Sequence, residues 1–177
     1  GAAEATEREG NFRAHGRQTR LHIATSTPTE DGKTVSTMIQ GDFFGDGGNE
    51  AVSNSRGFRV RHAWATYDGI GFGQTWSNFM PLVALPPSLD FAGPSGYVFS
   101  RQGQARYTTA TENGSLSFSL ENAESRIAGT SDDKDPLPDV TIRYAGKAGA
   151  MKYSASAVVT FLEIDDGTTD DSATGFG

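Results

Sequence analysis

Hydrophobic and polar residues alternate along this chain with the period of a strand, and no stretch carries the period of a helix. From Phe58, the run FRVRHAWATY sets Phe58, Val60, His62, Trp64 and Thr66 on one side and Arg59, Arg61, Ala63, Ala65 and Tyr67 on the other. One side is mostly apolar and the other carries two arginines. The same reading predicts a strand at 16–25, with Leu21 and Ile23 opposite Arg20 and His22. It predicts another at 33–44, with Val35, Thr37, Ile39, Gly41 and Phe43 opposite Thr34, Ser36, Met38, Gln40 and Asp42. A turn at 26–32 joins them, and a Gly-rich polar loop at 45–57 leads to the Phe58 strand.

Asp68-Gly69 is a tight hairpin signal before a strand at 70–75, and Asn113-Gly114 is a second. Between them, a strand at 97–109 gathers Gln102, Gln104, Arg106 and Thr108 on one face. Leu116, Phe118 and Leu120 then alternate with Ser115, Ser117, Ser119 and Glu121. After a loop at 132–138, Val140, Ile142 and Tyr144 alternate with Thr141 and Arg143, and the chain turns again at 146–149. The last run sets Met151, Tyr153, Ala155, Ala157, Val159 and Phe161 against Lys152, Ser154, Ser156 and Thr160, with only Val158 breaking the polar side. The total is about eight strands, several near the length that a tilted membrane-spanning strand requires.

Alternation alone fits two architectures. A soluble β-sandwich hides the apolar face inside, and such a module could bind carbohydrate through Trp64, Trp76 and Tyr97. A membrane β-barrel turns the apolar face to lipid and the polar face to water. Two features favour the barrel. Polar faces of Ser, Thr, Gln and Arg recur on successive strands, and aromatics such as Phe43, Trp64, Tyr67, Phe99, Tyr107, Tyr144, Tyr153 and Phe161 sit near strand ends.

Residues 76–96 follow neither period, and Pro81, Pro86, Pro87 and Pro94 oppose regular pairing there. An irregular connection of this length is commonly functional or disordered, and its Trp, Phe and Leu content argues against disorder. It is read either as a surface Ω-loop or as a loop folded into a barrel.

At 177 residues, with 22 Gly and no Cys, the chain fits a single strand-rich domain without disulfide or thiolate-metal chemistry. It has no apolar run long enough for a transmembrane helix, which leaves a β-barrel open. The start shows no basic and apolar leader, so it reads as processed or truncated. The net charge of −7 conceals a segregation of signs. Acid concentrates at Asp132, Asp133, Asp135, Asp165, Asp166, Asp170 and Asp171, all read as turns. Arg20, Arg59, Arg61, Arg106 and Arg143 instead lie mid-strand opposite apolar neighbours. Guanidinium groups lining a wet wall would favour anions. Arg13, Arg56 and Arg126 read as solvated surface charges.

Catalytic and metal chemistry find little purchase. His15, His22 and His62 are scattered, no GxSxG elbow exists, and the acidic stretches at 46–50 and 163–171 miss the calcium-loop pattern. The chain is therefore read as a non-enzyme with no metal, no cofactor and no nucleic-acid partner. Asn113-Gly114-Ser115 matches a glycosylation sequon, which the turn already explains.

The segments RQTRLHIATSTPT at 17–29, FRVRHAWATYDGIGFGQTWSNFM and DFAGPSG resemble the DcaP-like outer-membrane porins of Gram-negative bacteria. The close resemblance runs over about 16–106, and QTWSNFM and GPSG are its more specific pieces. It implies an all-β antiparallel transmembrane barrel of roughly sixteen strands, of which this chain would supply about half. It also implies a homotrimer in outer-membrane lipid that passes small anionic solutes such as dicarboxylates. By position, 76–96 would be the pore-constricting loop, carrying Trp76, Phe79, Leu85, Asp90 and Phe91. Arg20, Arg59 and Arg61 would belong to the basic wall, with Arg106 and Arg143 added by strand parity. Residues 1–15 would be a lead-in. A closed eight-stranded barrel has an interior filled by side chains, with little space for such a loop, so the chain reads as a section of a larger one.

Overall fold

The computed structural model describes residues 12, 14–84, 99–123, 133–165 and 170–177. These form one sheet of ten strands: β1 (Leu21–Pro28), β2 (Thr34–Gly45), β3 (Gly57–Tyr67), β4 (Ile70–Trp76), β5 (Arg101–Thr111), β6 (Gly114–Glu121), β7 (Asp133–Lys134), β8 (Asp139–Ala148), β9 (Met151–Asp165) and β10 (Asp170–Phe176). Every pairing is antiparallel, and the order follows the chain except that the two-residue β7 pairs with β9 beyond β8. It is an up-and-down meander, the topology of a barrel wall.

The connections are unequal in a regular way. Those at 29–33, 68–69, 112–113 and 149–150 are short, whereas those at 46–56, 77–100 and 122–138 are long. Up to β9 short and long connections alternate, so the short turns lie at one end of the sheet, as in outer-membrane barrels; the connection between β9 and β10, at 166–169, is short again. Asp68 and Gly69 both take positive φ, 49° and 81°, which is the type I′ geometry that the Asp-Gly pair predicts.

Polarity separates the two candidate architectures. Among the described residues eleven polar or charged side chains are buried, and Met80 is the only buried hydrophobic one. Large apolar side chains are exposed instead, with Ile23 and Phe72 at 70% and 71%. They align across the strands: Ile70 faces Tyr107, Tyr107 faces Phe118, and Phe118 faces Ile142. Phe72, Ala105, Leu120, Val140 and Val159 form the next row. A water-soluble sheet would hide these rows, whereas a lipid-facing one must display them. The sandwich reading is therefore set aside.

Several elements differ from expectation. β1 begins after Arg20 and runs through Ser26, Thr27 and Pro28, placing Arg20 just outside the strand. Proline is tolerated because β1 is an edge strand of the described sheet. Asp133, Asp165, Asp170 and Asp171 belong to strands, since β9 extends to pair with β7 and β10. Within the predicted loop at 45–57 lies one helical turn, α1 (Glu50–Ser53), capped by Asn49, whose side chain accepts from the Val52 amide at 2.9 Å. Glu50 there pairs with Arg56 and with Arg17.

The main correction concerns β3. Gln40 pairs with His62 but the next residue, Gly41, pairs with Val60, so Arg61 is an extra residue, a β-bulge. Alternation changes phase there. Arg59 and Arg61 lie on the polar face as predicted, but beyond the bulge His62 and Trp64 occupy that face and Ala63 and Ala65 the other. His62 is buried against Thr75, and Trp64 packs over Gly71.

Candidate functional site

The bulge concentrates charge. Arg59 grips the Asp42 carboxylate with both branches of its fork, Nε to Oδ1 at 3.0 Å and Nη2 to Oδ2 at 2.8 Å. Arg61, the bulged residue, donates Nη1 to Asp42 Oδ2 at 2.9 Å and Nε to Gln40 Oε1 at 3.1 Å. Asp42 itself is buried, and its Oδ1 also accepts from the Phe44 amide at 3.2 Å.

Asp42, Arg59 and Arg61 line a cavity of about 770 Å³ together with Gln18, Arg20, Phe44, Phe99 and Arg101. Four guanidinium groups thus share the cavity with one carboxylate, a local excess of positive charge in a chain whose total is −7. Such an arrangement is chemically suited to hold an anion, by field as well as by fork-shaped hydrogen bonding. Arg101 is the residue that sequence reasoning missed. It has the opposite parity to Gln102 and Gln104, so alternation points it away from the polar face. Its guanidinium stacks on Trp76, its cross-strand partner, at 3.8 Å, and that contact carries it into the cavity. Trp76 is held edge-on by His62 at 5.4 Å and Phe99 at 4.7 Å.

Arg106 and Arg143 lie apart from this cluster. Arg106 donates to Gln104 Oε1 and to the Trp76 carbonyl, and sits 5.5 Å from the centre of the Trp64 ring. Arg143 donates Nη1 to the Met80 carbonyl at 3.0 Å. Both act on the backbone at the end of β4 and in the segment that follows. The five predicted arginines therefore divide into three at the cavity and two braces.

Segment 77–84 crosses the polar face of β6, β8 and β9. Asn78 is fully buried, with Nδ2 donating to Thr141 Oγ1 at 3.0 Å and its amide N to Glu121 Oε1 at 2.6 Å. Ser156 Oγ donates to the Phe79 carbonyl at 3.1 Å, and a short 3-10 turn at Leu82–Ala84 lies against β9. Trp76 closes β4 and so precedes this segment, while Phe79 lies within it. Leu85, Asp90 and Phe91 lie outside the described residues.

The family model described as DcaP outer membrane protein matches residues 3–157. Among solved structures, the chain is similar to the outer membrane channel DcaP of Acinetobacter baumannii, with 32% identity and a TM-score of 0.80. The match covers 93% of this chain and 46% of that one, so the chain spans about half the length of the channel it resembles. No curated protein sequence is similar enough to count as a match.

Proposed function

The chain belongs to the DcaP outer membrane protein family, and on that premise we propose that it is part of the wall of a diffusion channel for small, preferentially anionic solutes such as dicarboxylates. Its location is the outer membrane of a Gram-negative bacterium. The observation that carries the anion preference is the cavity in which Arg20, Arg59, Arg61 and Arg101 outnumber Asp42. A solute carboxylate entering it exchanges hydration for charge-assisted hydrogen bonds. Arg106 and Arg143 support the lining from the side, by fixing the start of the segment that narrows the lumen. That segment, 76–96, is the proposed constriction, and the seat of its described start, through Asn78 and Phe79, on Glu121, Thr141 and Ser156 supports the reading. Passage involves no chemical step, so the channel is proposed as a non-enzyme. Its partners are solute anions, the surrounding lipid and two further copies of itself in a homotrimer.

The test is the reversal potential of the full-length channel in a planar bilayer under a salt gradient. An anion-selective potential is expected, weakened when Arg59 and Arg61 are replaced by Ala. Cation selectivity would refute the proposal. Light scattering of the detergent-solubilised channel decides the trimer, which a monomeric mass would exclude.

A further inference from the structure

Four arginines around one cavity pose a difficulty for a channel, because a site must bind weakly enough to release. The structure contains a device that meets it. Asp42 is a carboxylate placed where a solute carboxylate would be expected to bind: it accepts the Arg59 fork in bidentate fashion and one branch of Arg61. The side chains are unequally accessible. Those of Asp42 and Arg61 are 2% and 5% exposed, whereas that of Arg59 is 42% exposed. Arg61 is further secured by Gln40, so of Asp42's two arginine partners only Arg59 can turn towards the lumen without stranding a buried charge. Arg101 differs from both: its Nε and Nη2 are buried and have no hydrogen-bond partner, while the ring of Trp76 supports the guanidinium from one side.

From this arrangement we infer that Asp42 is a tethered competitor for the solute, a built-in carboxylate that holds Arg59 and yields it transiently to a passing anion. The inference deepens the anion-channel reading and rests on it. One carboxylate of a dicarboxylate enters the cavity beside Arg101, which lines it without touching Asp42, and the second then competes with Asp42 for Arg59. Asp42 keeps Arg61 throughout, so no charge is left buried alone. When Asp42 recaptures Arg59 the solute is released, and rebinding of an internal group at high effective concentration is fast. Asp42 is therefore a specificity-determining and rate-setting residue, although it carries the same sign as the solute.

Removing the competitor should tighten binding. The experiment compares the full-length wild-type channel with Asp42→Asn and Asp42→Glu in planar bilayers, using succinate as the probe and reading the residence time of succinate-induced blocks. A potassium chloride gradient gives the ion selectivity of each. For Asp42→Asn the block should last roughly tenfold to a hundredfold longer, the factor carried by one charge-assisted hydrogen bond. Its reversal potential should move towards chloride. Asp42→Glu, which keeps the charge, should stay near wild type in both. Heat-dependent migration on gels reports assembly, and Asp42→Ser replaces the Asn variant if the latter does not assemble.

Neutral variants that assemble yet keep wild-type residence time and selectivity overturn the inference. So does failure of both neutral variants to assemble while Asp42→Glu assembles, which assigns Asp42 a purely structural ion pair. The wild-type potential reports separately on the underlying reading. A wild-type channel without anion preference refutes that reading, yet a competing Asp42 would still shift the neutral variant towards anions.

Discussion

Asn78 and Ser117 exchange hydrogen bonds across the polar face of the sheet: Ser117 Oγ donates to Asn78 Oδ1 at 2.7 Å, and Asn78 Nδ2 donates to the Ser117 carbonyl at 3.3 Å. Thirty-nine residues separate them in sequence. The pair docks the segment after β4 onto β6, and Thr141 and Glu121 complete its surroundings. Because both residues are buried, each orphaned partner costs about 1–3 kcal/mol. Asn78→Leu should therefore destabilise the docked segment by several times the value of an exposed contact. In bilayers the variant should show larger and noisier single-channel conductance than wild type. Conductance and noise equal to wild type would mean that the segment does not narrow the lumen.

The apolar face makes a separate prediction. Phe72 and Leu120 belong to one exposed row, joined through Ala105. Arg at either position should lower the folding free energy in lipid vesicles by about 2–4 kcal/mol, the cost of a cation near the bilayer midplane. Arg in place of Thr108, which pairs with Ser117 on the polar face, should cost far less. Equal effects at the three positions, measured by urea titration in vesicles, would contradict the assignment of faces.

Much of this organisation is legible from the residues. Alternation in β6 and β9 and the Asp68-Gly69 turn follow from local rules, whereas the assignment of acid to turns fails at Asp133, Asp165, Asp170 and Asp171, which pairing draws into strands. What could not be read has identifiable causes. A bulge inserts a residue without leaving a compositional mark, and Ala63 and Ala65 are small enough to suit either face. Trp64 looks lipid-facing because it is apolar, yet its ring is the platform beside which Arg106 sits. β10, reading DDSATGF, has the composition of a turn, and only its pairing with an extended β9 makes it a strand. Arg101 escaped because a cation–π contact overrides alternation at the first residue of β5.

Gly71 offers a test of that platform. A Cβ added there would land within the indole of Trp64, so even alanine forces the ring to shift. The expected cost is about 1–3 kcal/mol, as for other overpacked sites. Trp64 emission should change with it, since the ring moves relative to Arg106. An unaltered spectrum together with unaltered stability would show that the ring has space to retreat.

The short turn at 29–33 carries a pH dependence whose sign can be worked out. Hydrogen bonds from Thr29 and then Tyr67 hold the Asp31 carboxyl below its ordinary value of 3.8. A lowered folded-state value means that the unfolded chain binds the proton first. The stabilisation is thus complete above pH 3.8 and is lost as pH falls from there through the lowered folded value. Lys33, hydrogen-bonded to Asp68 of the neighbouring turn, behaves oppositely: its ammonium is held above 10.5. Its contribution is complete below that value and disappears as pH rises through the raised one. Both groups are exposed, so each effect is modest and screened by salt. Protection of the β1–β2 hairpin amides, taken as the exchange rate relative to the intrinsic rate at the same pH, should fall at the acid end in wild type, and Asp31→Asn should remove that acid dependence. Lys33→Met should remove the alkaline one and leave the acid limb in place. If Asp31→Asn retained the full acid dependence, the protonation responsible would belong to a different carboxyl, and the Thr29 and Tyr67 hydrogen bonds would not be what steadies this turn.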